Sequence, residues 1–222
     1  MTRIKICGVK RAETLRLLAR LDVDYVGLVF AESRRRVDAQ TAGALLAAVP
    51  DHPPAVGVFV NPTEAELEHV LTHAPLAVIQ LHGQESPAFC ESVRQRFSLP
   101  VWKALAVGGG EPLENVVDAY RGAADAFLFD TYDPRQAGGT GKRFSWEQIP
   151  LLRKWTAPAP CIIAGGINAD NVAELVGRYR PAIIDVSSGV ESDGEKDAEK
   201  IRQFVERVRE HDRITEGNAY RA

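Results

Sequence analysis

The chain has 222 residues, of which 45% are hydrophobic and 26% charged, and its formal net charge is −3. This length suits one domain whose core needs neither disulfides nor a structural metal, and the composition excludes global disorder. Lys and Arg are spread along the chain, which excludes the basic footprint of a nucleic-acid-binding protein. The longest apolar runs, such as Tyr25–Ala31, are far shorter than the roughly 18 residues that a membrane span needs.

Eight short apolar runs recur along the chain, and each is followed by a stretch with helical periodicity. In chain order the runs are Ile4–Cys7, Tyr25–Phe30, Ala55–Val60, Leu76–Leu81, Val101–Ala106, Ala126–Phe129, Cys161–Ala164 and Ala182–Val186. Their nearly continuous apolar character is typical of parallel strands that are covered on both faces. Strict alternation of strand and helix predicts a parallel sheet with right-handed crossovers.

Two of the helices carry clear sequence signals. After the third run, Asn61 is predicted to be an N-cap and Pro62 to occupy the first helical position. The apolar face of that helix is marked by Leu67, Val70 and Leu71. The last helix is indicated by a stripe at helical spacing, which consists of Ile201, Phe204, Val205 and Val208.

Eight strand–helix units fit a closed barrel better than an open sheet, which ordinarily has fewer strands, and no dinucleotide-binding fingerprint follows the first strand. We therefore predict an α/β fold, a single-domain (β/α)8 TIM barrel over residues 1–210. The remaining residues, 211–222, form a polar tail without an apolar stripe, and we expect this tail to fray.

The three cysteines, Cys7, Cys90 and Cys161, are odd in number and widely spaced, which predicts free thiols in a reducing compartment. The N-terminus lacks the apolar segment of a secretion signal, so we expect a cytoplasmic protein. No cluster of His, Cys, Asp or Glu has the spacing of metal ligands, and no metal is predicted.

In a (β/α)8 barrel, the active site lies at the C-terminal ends of the strands and in the loops that follow them. Glycine-containing turns follow the seventh and eighth strands, at residues 164–168 and 185–189. Barrels frequently bind phosphate at this place through backbone N–H groups, so the two turns together predict a phosphate site. The alternative is a pair of tight connections that bind no ligand.

Two further strand ends carry groups capable of acid–base chemistry. Cys7 ends the first strand, where it is either a small buried hydrophobe or a reactive thiolate favoured by the nearby Lys5 and Lys10. Asp130 ends the sixth strand, where it either caps the next turn or keeps a proton available near neutral pH. Strands one and six lie roughly opposite each other in a ring of eight, so the two groups could address opposite sides of one small substrate.

The run Arg34-Arg35-Arg36 is either a solvated loop or contains one guanidinium that pairs with a substrate carboxylate through two parallel hydrogen bonds. His82 follows the fourth strand as a polar liner or a supporting hydrogen-bond partner, and no catalytic role is predicted for it.

Several of these residues belong to an ordered set of segments that spans nearly the whole chain. The segments are Lys5–Val9, Asp24–Phe30, Gln80–Gly83, Gly138–Gly141 with Phe144 and Trp146, Ala164–Asn168, and Asp185–Glu191. A lone Gly-Gly-Thr-Gly would mean little, but this set in this order resembles the phosphoribosylanthranilate isomerase family of tryptophan biosynthesis.

The resemblance implies an Amadori rearrangement of N-(5-phosphoribosyl)anthranilate to 1-(2-carboxyphenylamino)-1-deoxyribulose 5-phosphate, without a cofactor. Asp130 would donate a proton to the furanose ring oxygen and open the sugar to a Schiff base. The Cys7 thiolate would then remove the C2′ proton to give an enolamine, which tautomerises to the ketose. Each acid–base step contributes about 10²- to 10⁴-fold, and substrate positioning supplies the remaining acceleration.

The resemblance also implies which residues bind the substrate. The residues assigned to the phosphate are Gly165, Gly166, Ser188 and Gly189. Arg35 is assigned to the anthranilate carboxylate, but the loop is one residue shorter than usual and Arg34 stands where proline is common, so Arg34 and Arg36 remain alternatives. The segment Gly138–Gly141 is expected to close over the ligand. The expected partner is a phosphorylated small molecule, and the chain is expected to be a monomer or a homodimer.

Three other functions stay open. The sister isomerase of histidine biosynthesis performs the same rearrangement with two aspartates, and Cys7 speaks against it. An epimerase or synthase barrel that uses a lysine is a second alternative, although no lysine ends a strand and Lys103 lies within the fifth. A non-catalytic barrel that binds a sugar phosphate would be expected to lack Cys7 or Asp130, and both are present.

Overall fold

The computed structural model describes residues 1–108, 112–131 and 144–219, with side chains up to residue 214. Its strands are β1 (Arg3–Cys7), β2 (Tyr25–Val29), β3 (Ala55–Phe59), β4 (Val78–Leu81), β5 (Val101–Val107), β6 (Ala126–Thr131), β7 (Cys161–Ile163) and β8 (Ile183–Val186). These eight parallel strands close into a barrel in chain order, and β8 pairs back onto β1. The predicted (β/α)8 barrel is confirmed.

Helices follow the strands and cover the outside of the barrel. They are α1 (Ala12–Arg20), α2 (Ala39–Ala47), α3 (Glu64–His73), α4 (Pro87–Phe97), α5 (Leu113–Ala119), α6 (Ile149–Thr156), α7 (Val172–Glu174) and α8 (Ala198–Ala219). Within the described segments, no helix has the length and apolar character needed to cross a bilayer.

The start of α3 differs from the prediction, because Thr63 and not Asn61 is the N-cap. The Thr63 hydroxyl accepts the N–H of Glu66, and the Glu66 carboxylate accepts the N–H of Thr63, which together form a capping box. Asn61 instead has a left-handed backbone with φ of 47°, and its side chain accepts the N–H of Gln84. The Asn-Pro signal therefore placed the start of the helix two residues too early, since the Asn61 side chain binds the loop after β4 instead.

Helix α8 continues beyond residue 210, where the sequence analysis places the start of a polar tail. The carboxylate of Asp212 is buried and accepts the backbone N–H of Thr2. Arg209 is also buried, and its guanidinium donates to the carbonyl of Thr2 and to Asp24. This end of α8 has no apolar stripe. It is attached instead by the buried charges of Arg209 and Asp212, which bind the N-terminal ends of β1 and β2.

Apolar side chains form two main layers. The larger cluster lies between the strands and the surrounding helices, whereas a smaller cluster fills the barrel interior. The interior cluster includes Val56, Trp102, Leu128 and Ile162. Side chains alternate across each strand, so every second residue points into the barrel, and this apolar layer fills its lower half. Polar and reactive side chains are therefore found at the strand ends above the layer.

A short antiparallel hairpin follows β8. A 3-10 turn over Ser188–Val190 leads into β9 (Glu191–Ser192), which pairs with β10 (Glu195–Lys196). This hairpin lies after the eighth strand, so it brings Glu191 and Lys196 to the mouth of the barrel.

Candidate active site

A cavity of about 580 Å³ opens at the C-terminal ends of the strands. The residues predicted for the site that line it are Cys7, Arg35, Asp130, Gly165, Gly166 and Ser188. Gly189 is the one predicted site residue that does not line the cavity. The barrel thus brings together side chains that are separated by more than a hundred residues in the chain.

The glycine turns after β7 and β8 lie against each other. A Cβ atom added to Gly189 would meet the carbonyl oxygen of Ile167 at 1.9 Å and the Cα atom of Asn168 at 3.0 Å. Among the described residues, the backbone N–H groups of Gly166, Ser188 and Gly189 have no acceptor in the protein. Two closely packed turns therefore present unpaired donors, which is the arrangement that a phosphate requires.

Replacing Gly189 with alanine is expected to weaken phosphate binding and to lower stability, because the new Cβ collides with backbone that cannot rotate away. We expect about 1–3 kcal/mol of destabilisation, measured by denaturant unfolding, and a raised KM for a phosphorylated substrate. Gly177→Ala is the matched control, since its Cβ would make only an ordinary contact of 3.7 Å with His211. Equal stability and KM in the two variants would show that the loops do not depend on this close approach.

Cys7 lies at the end of β1 with its thiol buried in the cavity wall. Gly27 of β2 makes room for it, because a Cβ there would lie 2.7 Å from the Cys7 sulfur. Burial raises the pKa of Cys7 above its usual 9.0, and the positive charges of Lys5 and Lys196 counteract this shift only in part. The thiolate is consequently a minor but strongly basic form.

Beneath Cys7, a buried ion pair lies inside the barrel. The Lys5 ammonium is fully buried and donates to the Asp185 carboxylate over 2.8 Å. Burial alone would lower the pKa of Lys5, but the adjacent Asp185 carboxylate raises it, so Lys5 keeps its charge. Lys10, the other lysine considered from the sequence, donates instead to Glu195 and to the carbonyl of Arg34.

Of the three consecutive arginines, only Arg35 lines the active-site cavity. Its side chain is 7% exposed, whereas those of Arg34 and Arg36 are 58% and 52% exposed. Arg35 lies across Gly8, where a Cβ would be 2.5 Å from the Arg35 Cδ atom. The structure therefore separates the three residues, which the sequence could not do.

Glu191 holds Arg35 from behind. The Arg35 Nε and Nη2 atoms donate to the two carboxylate oxygens of Glu191 over 2.7 and 2.9 Å, and Lys196 donates to the same carboxylate. Burial raises the pKa of Glu191, but hydrogen bonds from Arg35 and Lys196 outweigh it and lower this pKa to about 2. Lys196 also donates to the carbonyl of Ser187 and so ties Glu191 to the turn after β8.

Asp130 lies near the end of β6 and is 8% exposed. Its Oδ1 atom accepts the N–H of Thr131, and its Oδ2 atom lies 3.6 Å from Nε2 of His82. Gly165 packs against the carboxylate, because a Cβ there would be 2.5 Å from Oδ1. The turn that supplies phosphate donors therefore also restricts the position of Asp130.

The other candidate nucleophiles and bases are occupied or buried elsewhere. The Lys103 ammonium donates to the carbonyls of Leu81 and Gly83 and to the carboxylate of Glu85, so its protons hold the loop after β4. Burial raises the pKa of Cys90 to about 11 and that of Cys161 to about 12. These residues form part of the scaffold, and the lysine-based alternative has no support from Lys103.

The segment Gly138–Gly141, which was expected to close over the ligand, lies outside the described residues. Phe144 and Trp146, which belong to the same motif, are buried in the outer core. Across residues 1–108, 112–131 and 144–214, no group of three or more His, Cys, Asp or Glu side chains is placed to hold a metal ion.

The charged partners of the site were not predicted from the sequence. These are Asp185 below Lys5, and Glu191 and Lys196 behind Arg35. The available signal was a charged residue inside an otherwise apolar strand, which holds for Lys5 and Asp185. Glu191 and Lys196 gave no such signal, because they lie in a short polar hairpin.

Comparison with known proteins gives a consistent result. Residues 4–207 match the family model described as N-(5′phosphoribosyl)anthranilate (PRA) isomerase. An N-(5′-phosphoribosyl)anthranilate isomerase of Brevibacillus brevis is 67% identical over 222 residues, which cover all of both chains. The crystal structure of phosphoribosyl anthranilate isomerase from Thermotoga maritima has a TM-score of 0.83 at 31% identity, and the match covers 94% of this chain and 99% of that one.

A further solved structure contains a ligand. It is a phosphoribosyl anthranilate isomerase in complex with reduced 1-(o-carboxyphenylamino)-1-deoxyribulose 5-phosphate. Its TM-score is 0.80 at 30% identity, and the match covers 94% of this chain and 99% of that chain.

Proposed function

Because the chain belongs to the N-(5′-phosphoribosyl)anthranilate isomerase family and is therefore an isomerase of tryptophan biosynthesis, we propose that it rearranges its substrate with Cys7 as the general base and Asp130 as the general acid. The observation that carries this assignment is that both side chains line one cavity, from β1 and β6. Two strands, β7 and β8, separate β1 from β6 on one side of the ring. The two groups therefore reach a small substrate from different sides.

Asp130 performs the first step as the acid. Its proton passes to the furanose ring oxygen, the bond between that oxygen and C1′ breaks, and the sugar opens to a Schiff base. The Oδ1 atom already accepts the N–H of Thr131, so the transferable proton belongs on Oδ2, the other oxygen. Burial against Gly165 restricts this carboxyl to one orientation.

Cys7 performs the second step as the base. Its thiolate removes the proton from C2′, and the resulting enolamine tautomerises to the ketose. Lys5, held protonated by Asp185, lies close enough to stabilise the thiolate against the cost of burial. No bond to the protein forms, and the reaction needs no change of oxidation state in any protein group.

We assign the substrate phosphate to the turns after β7 and β8. The N–H groups of Gly166, Ser188 and Gly189 support this assignment, because they find no acceptor among the described residues. Gly165 has no side chain and so leaves room for the carboxylate of Asp130 beside this turn. This anchoring fixes the distance between the phosphate and the reacting carbons, which is how a barrel converts binding energy into positioning.

We assign the anthranilate carboxylate to Arg35. Glu191 engages Nε and Nη2 of Arg35 and leaves Nη1 for a ligand. The ligand named for the solved relative contains both a carboxyphenyl group and a phosphate. A cavity with Arg35 near β2 and donor turns after β7 and β8 provides a partner for each of these anionic groups.

Glu191→Gln is expected to raise KM for the substrate by about 10- to 100-fold, because the amide lacks the negative charge and replaces one of the two acceptor oxygens that orient Arg35 with an N–H donor. The fall in kcat should be smaller, since neither reacting group contacts Glu191 directly. Steady-state kinetics with Glu195→Gln as the control measures this, because Glu195 is exposed and pairs with Lys10 outside the cavity. An unchanged KM would show that Arg35 keeps its orientation without Glu191.

The direct test of the function is to generate N-(5-phosphoribosyl)anthranilate in situ and to follow the decay of its fluorescence with the purified protein. Rapid decay is expected, and the product should be the carboxyphenylamino-deoxyribulose phosphate. The histidine-pathway substrate serves as the comparison in the same experiment. Turnover of that compound alone would contradict the assignment of Arg35 and of Cys7.

The location and the oligomeric state of the enzyme are proposed as follows. All three cysteines are free, which supports a cytoplasmic enzyme in a reducing compartment. We propose that the enzyme is a monomer or a homodimer, and sedimentation velocity distinguishes the two.

A further inference from the structure

His82 and Gln80 form a short chain of polar groups that leads to Asp130. Both residues line the active-site cavity, Gln80 from within β4 and His82 just after it. The Gln80 Nε2 atom lies 3.0 Å from Nδ1 of His82, and the other ring nitrogen of His82 lies 3.6 Å from Oδ2 of Asp130. The acid–base scheme above does not use either residue.

The contact with Gln80 determines where the proton of the His82 ring is. An amide nitrogen can only donate, so Nδ1 of His82 accepts and the proton of the neutral ring lies on Nε2. Nε2 of His82 is consequently the ring donor, and it faces Oδ2 of Asp130.

In this orientation the Gln80 amide leaves one of its two polar atoms without a hydrogen bond, which is energetically unfavourable. Its Oε1 atom is buried and has no hydrogen-bond partner in the described structure. A buried amide oxygen without a partner is uncommon and unfavourable. Among the residues that the structure describes, the contact with His82 is the one side-chain hydrogen bond of Gln80, which indicates that this residue is placed for His82 and not for packing.

We propose that His82 is a positioning residue for Asp130, which donates its Nε2–H to Oδ2 as that oxygen gives up its proton to the substrate. Before the transfer, Oδ2 carries the proton and the 3.6 Å separation to Nε2 is longer than a hydrogen bond. After the transfer, Oδ2 is an anion facing a fixed donor, and a small rotation of either side chain closes the gap. This inference rests on the proposed role of Asp130 as the acid.

The test compares His82→Leu with His82→Gln, since the Gln amide nitrogen can occupy the place of Nε2. His82→Leu is expected to lower kcat by about 10- to 100-fold with KM changed by less than about threefold, because the lost donor acts on a developing charge. His82→Gln should recover most of the lost kcat. Equal kcat in both variants and the wild type would overturn the inference.

A double-mutant cycle with Asp130→Asn separates a role through Asp130 from a general structural role. If His82 acts through Asp130, His82→Leu causes no further loss of kcat in the Asp130→Asn background. Losses that multiply in the double variant would contradict the inference. Wild-type activity in Asp130→Asn alone would instead refute the acid assignment, so the two failures are distinguishable.

Gln80→Met provides a third, independent measurement. The substitution removes the buried amide with its unpartnered oxygen, so the melting temperature should be unchanged or higher. The kcat value should nevertheless fall, because the ring of His82 is then free to rotate or change tautomer. An unchanged kcat would show that Gln80 does not direct His82.

Discussion

Replacing Cys7 with alanine is expected to lower kcat between about 10²- and 10⁴-fold, since the variant has no group to remove the C2′ proton. The substrate should still bind, because the phosphate turns and Arg35 remain in place, and KM should change little. Cys7→Ser should be nearly as inactive, since a serine hydroxyl is a much weaker base than a thiolate. The measurement is fluorescence decay of N-(5-phosphoribosyl)anthranilate at saturating substrate.

Cys90→Ala is the matched control for this experiment. Cys90 is also buried but lies in α4 within the outer core, so its removal should leave kcat unchanged. A kcat for Cys7→Ala within threefold of the wild type would show that another group accepts the proton. The fold and the phosphate assignment would not be affected by that result.

The role of Cys7 as a base also predicts how its ionisation depends on pH. Burial raises this pKa above 9.0 despite the opposing charges of Lys5 and Lys196, so the thiol form dominates at neutral pH and the thiolate forms as the pH rises. The ultraviolet absorbance of the thiolate, taken as wild type minus Cys7→Ser, should therefore have a midpoint above 9.0. A midpoint below that value would mean that the lysines outweigh burial.

Asp130→Asn is expected to lower kcat by a similar factor, between about 10² and 10⁴. The amide has almost the same shape, and its oxygen can still accept the N–H of Thr131, but it has no proton to give to the ring oxygen. The variant should therefore fold normally and should still bind the reduced carboxyphenylamino-deoxyribulose phosphate, which calorimetry can measure. Loss of both binding and activity would indicate damage to the site and not loss of the acid.

Asp51→Asn is the control, because Asp51 is exposed in a turn after α2 and lies outside the cavity. Its kcat and stability should match those of the wild type. Full activity in Asp130→Asn would transfer the acid role to another group in the cavity, and His82 would be the next residue to substitute.

The barrel itself could be predicted from the sequence because each of its strands is marked by a short run of neighbouring apolar residues. Each of the eight apolar runs marks a strand that is buried on both faces, and the end of each run marks the mouth of the barrel. For the same reason Cys7 and Asp130 could be identified as strand-end residues with chemistry. The start of α3 was missed because the capping box at Thr63 competes with the Asn-Pro signal only two residues earlier.

The polar partners of the site depended on the tertiary structure. Lys5 and Asp185 are directly opposite each other only because β8 pairs with β1 in one register when the barrel closes. Arg35 differs from its two neighbours because it meets Glu191, which lies 156 residues away in the chain. Periodicity reports whether a residue is buried, but the identity of a distant partner is decided by barrel closure and by the hydrogen bonds that each buried charge must find.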